Sequence, residues 1–263
     1  MSFVVAVDGA SGTGKGTVTR YVAEKLKLVT IDTGALYRCV TLQALNSNVA
    51  LDNIEELEKI AKTIKVDLKI VNNSQVVLLN GEDVSIEIRT PRVTNNVSVV
   101  SAVKEVRAQM VRIQRELAQG KNVIMEGRDI GTTVFPDADV KIFLECSAEE
   151  RAKRRVRQNA ENGIETSYEE VLESIKNRDR IDSTREVSPL RKADDAIVIE
   201  GWGTLLSILE SKWGYLFCIV IVSLLLFLQE VFELIIELKY GGTKGTKAAN
   251  VANARKAAQK AGT

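Results

Sequence analysis

Nine residues, Gly9-Ala10-Ser11-Gly12-Thr13-Gly14-Lys15-Gly16-Thr17, stand between an apolar run, Phe3 to Val7, and a helix-like run, Val18 to Leu26. Strand, glycine-rich loop and helix in that order form the setting of a phosphate-binding loop. Gly9, Gly12 and Gly14 let backbone N–H groups converge on an anion, the helix N-terminus adds its positive dipole end, and Lys15 reaches the terminal phosphates. The spacing fits Gly-x-x-x-x-Gly-Lys without a mismatch. Gly16 takes the place usual for Ser or Thr and the hydroxyl comes one residue later, at Thr17, which weakens the case for direct side-chain ligation of magnesium. A glycine-rich turn with a surface lysine is the alternative, and the flanking strand and helix argue against it.

Further short β-rich runs at Leu28–Asp32, Asn122–Glu126, Val140–Glu145 and Ala196–Glu200 alternate with helical patterns. Helices are expected at Thr17–Leu26, Gly34–Leu45, Ile54–Ile64, Val99–Gln119, Ala148–Asn162 and Ser167–Asp179. The alternation predicts an α/β fold, a five-stranded parallel sheet with helices on both faces. Between Val66 and Thr90 the period changes to that of strands, Val66–Val71 and Gln75–Leu79, with turn residues at Asn72-Asn73-Ser74 and Asn80-Gly81. A small antiparallel β insert is the expectation there.

The chain has 36 basic and 35 acidic residues, a balance that gives no reason to expect a nucleic-acid partner. Its three cysteines, Cys39, Cys146 and Cys218, have no paired spacing, so neither a disulfide framework nor a zinc site is supported. There is no histidine, which removes the commonest general base and transition-metal ligand. Phosphoryl transfer needs neither, because it relies on positioning and on charge neutralisation by Lys, Arg and magnesium. Met1-Ser2-Phe3 leads straight into the first strand, leaving no room for a signal peptide and pointing to the cytoplasm.

Three segments at expected strand ends pair arginine with carboxylate or hydroxyl: Asp32 to Arg38, Glu126 to Gly131 and Arg178 to Arg185. Guanidinium groups fork onto phosphate oxygens while carboxylates and hydroxyls fix sugar or base edges, so a second phosphorylated ligand facing the loop is the inference. An Arg–Asp network that merely ties loops together is the alternative for any one segment. The helix Glu149–Arg157 carries Arg151, Lys153, Arg154, Arg155 and Arg157 directly after the strand ending near Cys146. Such a run is ordinarily a solvated face, but this one lies at the carboxyl edge of the sheet, where ligands of open α/β folds bind.

From Val5 to about Ile199 the chain resembles the bacterial cytidylate (CMP/dCMP) kinases of the P-loop nucleoside monophosphate kinase group. The resemblance rests on AVDGASGTGKGT, IDTGALYR, NGEDVSIEIRT, MEGRDIGTTVFPDADVKIFL and IKNRDRIDSTREVSPLRKADDAIVI. It covers about three-quarters of the chain, and Gly16-Thr17 matches the Gly-Lys-Gly-Thr form of these kinases. It implies a P-loop kinase fold with an insert at about 65–92 and a helical lid at about 148–165, in a kinase domain of residues 1–212. It also implies that Lys15, Arg128 and Arg185 act in catalysis, and that the loop Gly9–Thr17 (Gly9, Ala10, Ser11, Gly12, Thr13, Gly14, Lys15, Gly16, Thr17) holds ATP under the lid residues Arg154 and Arg155. On the acceptor side Thr33 and Asp129 match positions at the cytosine edge, and Ser98 and Arg107 match base and phosphate contacts. Arg38, Arg128 and Arg185 would clamp the acceptor phosphate, while Arg178 and Asp182 would sense the ribose of CMP or dCMP. Magnesium would be held mainly by phosphates and water, with no protein metal site, in a monomeric catalytic part.

After Glu200 the resemblance fails. Residues 214–228 are uncharged and hydrophobic all round, and at roughly 15 to 17 residues fall short of the about 20 that span a bilayer comfortably. Buried helix, oligomer contact and membrane contact through 213–240 all stay open. Residues 241–263 carry five basic residues and no acidic one and read as a disordered tail. ATP-dependent phosphorylation of CMP and dCMP is the leading expectation. Against it stand a P-loop kinase for another monophosphate or small metabolite, and a nucleotide-controlled, membrane-associated binding module.

Overall fold

The computed structural model describes residues 2–71, 74–161 and 163–200. The hydrophobic run and basic tail expected after Glu200 lie outside the described residues.

The chain begins with β1 (Val4–Gly9), α1 (Lys15–Leu26), β2 (Val29–Asp32), α2 (Thr33–Asn46) and α3 (Ile54–Thr63). An antiparallel insert follows, with β3 (Val66–Val71), β4 (Ser74–Leu79) and β5 (Glu82–Asp83). A 3-10 turn at Glu87–Arg89 leads to α4 (Pro91–Thr94), α5 (Val97–Ala102) and α6 (Lys104–Ala118). Then come β6 (Val123–Gly127), a π-helical turn (Ile130–Val134), β7 (Val140–Leu144), α7 (Ala148–Glu161), α8 (Tyr168–Thr184) and β8 (Ile197–Ile199).

The main sheet has five strands in the order β2-β6-β1-β7-β8, and every pairing is parallel. All six residues of β1 are buried, so the central strand is covered on both faces, as its unbroken apolar run requires. One core lies under this sheet, with Val4, Ala6, Ile31, Val123, Met125 and Val134. A larger one joins α2, α3, α5 and α6 to the insert through Leu36, Leu42, Leu57, Val77, Ile88 and Met110. Each fully buried Leu or Ile there contributes about 1.5–3 kcal/mol, so the insert is welded to the helices that carry the site.

Two helices differ from the sequence expectation. The single helix expected over Val99–Gln119 is broken at Val103, which takes an extended conformation (φ −68°, ψ 123°). No glycine or proline marks the break. It turns α6 so that Arg107 donates to the carbonyl of Ser101 at 3.0 Å, a tertiary demand that the apolar period does not record. The helix expected to end at Asp179 runs on to Thr184, through charged residues that lack an apolar stripe. Its start carries a capping box in which Ser167 and Glu170 satisfy each other's backbone N–H.

Candidate active site

β1, β2, β6 and β7 end at one edge of the sheet, and the phosphate-binding loop crosses it. Gly9 has φ 150°, and a Cβ there would stand 2.5 Å from the carbonyl oxygen of Leu144. Only glycine lets the loop pass the end of β7 so closely. Lys15 Nζ donates to the carbonyls of Gly9 at 2.7 Å and Ala10 at 2.6 Å. Burial, then the like charge of Arg128, press the Lys15 pKa well below the usual ammonium range, against the pull of Glu126 and Asp8.

Side chains of α7 close the other side of the loop. Arg154 donates to the carbonyl of Gly12 at 2.8 Å. Arg155, expected beside it, is exposed and reaches the site as a like charge acting on Arg38. Arg151 is the buried member: it donates to Ser11 O at 2.9 Å and pairs with Asp179 of α8. The charged run in the sequence did not single out Arg151. Its signal is position, three residues before Arg154 on the same helix face.

Beside the loop lies a cavity lined by every acceptor-side residue expected from the sequence except Arg38 and Ser98. β6 delivers Arg128 and Asp129, and its last residue, Gly127, permits a close approach, since a Cβ there would meet Thr33 Oγ1 at 2.8 Å and Ile130 Cδ1 at 2.6 Å. Thr33 Oγ1 donates to Glu126 O at 2.7 Å, which fixes α2 against β6. From there cations and carboxylates alternate. Arg107 pairs with Asp129, which faces Arg185 at 3.5 Å; Arg185 faces Asp182 at 3.9 Å, and Asp182 accepts from Arg128 Nε at 2.9 Å. Burial opposes ionisation of Asp182, yet Arg128 and Arg178 hold its carboxyl below the usual range.

The two remaining residues stand outside the cavity lining. Arg38 is held by the carbonyl of Ile88 at 3.0 Å and by Thr94 Oγ1 at 2.8 Å. Ser98 is buried in α5 with its carbonyl accepting from Ser101 Oγ, and it is Ser101 that reaches the lining. Tyr37, under the Arg107 guanidinium at 5.3 Å, also lines it.

Beside these pairs the cations also crowd one another. Burial, then Arg128 and Arg38, lower the Arg178 pKa to about 10. Burial, Arg89, Arg128 and Arg155 likewise lower that of Arg38, against the pull of Asp32. Lys15, Arg38, Arg128 and Arg178 thus form a buried or half-buried group of mutually repelling cations between the loop and the cavity. The Arg178 Nε within it has no hydrogen-bond partner among the described residues. Such a group fits a polyanion shared between two ligands.

Residues 5–210 match the family model described as Cytidylate kinase. The chain belongs to the cytidylate kinase family. Cytidylate kinases of Bacillus thuringiensis (strain Al Hakam) and Bacillus anthracis (strain A0248) are each 50% identical to it over 196 residues, 74% of this chain and 87% of theirs. Among solved structures, a gluconokinase from Sinorhizobium meliloti 1021 is 13% identical over 75% of this chain and 82% of its own, with a TM-score of 0.37. This member of the cytidylate kinase family is a phosphotransferase with a P-loop α/β fold. Among its described residues no group of three or more His, Cys, Asp or Glu side chains is placed to hold a metal ion, and no helix is long and apolar enough to cross a membrane.

Proposed function

We propose that the chain transfers the γ-phosphoryl group of ATP to the phosphate of CMP and dCMP, with ATP on the loop Gly9–Thr17 and the acceptor in the cavity beside it. The observation that carries this reading is the crowding of Lys15, Arg38, Arg128 and Arg178 between the two places, with the Arg178 Nε without a hydrogen-bond partner among the described residues. An acceptor oxygen of CMP, whose second ionisation lies near about 6, is largely anionic at neutral pH and needs no general base. It attacks the γ-phosphorus, the bond from that phosphorus to the β,γ-bridging oxygen breaks, and ADP departs with the electron pair. Lys15, Arg128 and Arg185 offset the charge that gathers on the transferring group. Asp129 and Arg107 hold the base end, and Arg178 and Asp182 the ribose. Arg154, with Arg155, closes over ATP and excludes water.

Magnesium entering with ATP would supply further neutralisation of phosphate charge, held mainly by phosphates and water. Gly16 brings no hydroxyl to such an ion, and the Glu126 carboxylate, whose Oε1 stands 3.0 Å from where a Cβ of residue 16 would be, is placed to meet waters that the ion would keep. The catalytic part is read as a cytoplasmic monomer.

ADP release measured with CMP, dCMP, UMP, AMP and shikimate as acceptors tests the reading, and preference for anything but a cytidine nucleotide overturns it. Asp182→Ala is expected to weaken both CMP and dCMP or to erase the distinction between them, and unchanged kinetics with both would remove Asp182 from the ribose site. Truncation after Lys212 is expected to leave CMP phosphorylation largely intact, since the assigned residues lie between Gly9 and Arg185 and β8 ends at Ile199. It should also raise solubility, because roughly fifteen consecutive apolar residues associate when exposed. Loss of activity from a folded truncated chain would show that residues 213–263 belong to the working structure.

A further inference from the structure

Asp8 plays no part in the chemistry above, yet among the described residues it is one of the most buried carboxylates. It is the residue before Gly9, at the end of the central strand. Its Oδ1 accepts from the N–H of Ile130 at 2.8 Å and its Oδ2 from the N–H of Gly131 at 2.7 Å. Those two N–H groups open the π-helical turn that begins directly after Arg128-Asp129, and their carboxylate partner lies 122 and 123 residues away in sequence. One side chain therefore joins the root of the donor loop to the loop that presents two acceptor-side residues.

We propose that Asp8 is a positioning residue for the acceptor site, its carboxylate holding the Ile130-Gly131 turn so that Arg128 and Asp129 face the phosphate-binding loop. The proposal rests on the assignment of that cavity to the acceptor nucleotide. A carboxylate suits the task because it accepts two N–H bonds at once, and bonds to an ionised acceptor are about twice as strong as neutral ones. An amide has only one accepting atom and would set its own N–H₂ against one of the two donors.

The environment gives the clamp a titration in the working range. Burial raises the Asp8 pKa from 3.8 to about 6, with Asp129 pushing the same way and the Gly131 and Ile130 N–H groups and Lys15 pulling down. Lys141 of β7 packs its methylenes beside Gly131 while its ammonium is bound to Asp195 at 2.8 and 2.9 Å. A folded pKa above the unfolded value means that this group's contribution to stability is full below 3.8 and is lost as pH rises through about 6. The fold thus retains, at neutral pH, a buried negative charge that weakens it, as expected where a charge serves the site more than the core.

Amide NMR of the full chain without nucleotide, together with kinetics of Asp8→Asn and Asp8→Glu, tests the clamp. The Ile130 and Gly131 amide signals of the unsubstituted protein should titrate together with a midpoint near 6, an effect free of CMP's own ionisation, and the step should vanish in Asp8→Asn. Asp8→Asn should raise KM for CMP roughly tenfold or more with KM for ATP within about twofold, because a displaced acceptor loop misplaces only one substrate. Asp8→Glu, which keeps the charge, should restore part of the loss. Amide signals with no titration that is lost in Asp8→Asn, an unchanged KM for CMP in that variant, or KM values for CMP and ATP that rise together would overturn the proposal. Where Asp8→Asn does not fold, the titration of the unsubstituted protein still decides. Absence of CMP phosphorylation by the unsubstituted enzyme would count against the acceptor assignment and leave the amide titration as the independent measure of the clamp.

Discussion

Lys15→Ala lowers kcat/KM by about a thousandfold or more while the folded chain keeps its thermal midpoint to within about 3 °C. Both halves of this expectation come from the same side chain. Its ammonium is the cation nearest the root of the loop and offsets charge on the group in flight, so its loss falls on the transition state. In the fold the ammonium is buried, pressed toward its neutral form by burial and by Arg128, and donates to the Gly9 and Ala10 carbonyls and the Thr13 hydroxyl. Removing a charge that the fold tolerates poorly costs little stability. Steady-state kinetics and a thermal melt on the same preparation check both halves. A variant that keeps a tenth of the rate, or one that melts far below the parent, contradicts this account of Lys15.

Arg128→Ala is the second large effect, and it is confined to one substrate. Arg128 lines the acceptor cavity, donates to Asp182 at 2.9 Å and repels both Lys15 and Arg178. Without it the buried Asp182 keeps only the distant Arg185 at 3.9 Å and the field of Arg178, and the acceptor phosphate loses a fork of donors. We expect kcat/KM for CMP to fall by about two to three powers of ten while the dissociation constant for ATP changes by less than about twofold. Equilibrium titration with ATP beside CMP kinetics separates the two. Weakened ATP binding with an unchanged CMP response would move Arg128 to the donor side.

What the sequence revealed follows the range of the interactions involved. Gly9 to Thr17 and the five parallel strands are legible because glycine spacing and apolar runs act over a few residues. The groups Asp32 to Arg38, Glu126 to Gly131 and Arg178 to Arg185 stood out because each pairs cation with anion locally. The break at Val103 was not legible, since an extended valine inside an apolar period is chosen by Arg107 reaching Ser101 and Asp129. Nor was the last turn of α8, whose charged residues are ordered by ion pairs to Arg128 and Arg151. Arg151 and Arg155 look alike in a basic helix, and only packing makes the first buried and the second exposed. Asp8 gives no signal at all: an acidic residue at the end of a strand is unremarkable until two N–H groups from the far half of the chain arrive beside it.

The order β2-β6-β1-β7-β8 has a consequence for how the chain is made. Among the described strands β1 pairs with β6 and β7, so after leaving the ribosome it has no such partner before Val123 and is not flanked on both sides before Leu144. At about 5–20 residues per second that interval is on the order of ten seconds. Throughout it an apolar Val4-Val5-Ala6-Val7 segment is exposed in the nascent chain, and the later strands must thread in on either side of it. The strand that anchors the donor loop is thus made well before either neighbour that secures it, and lacks a sheet partner throughout the synthesis of the intervening insert and helices.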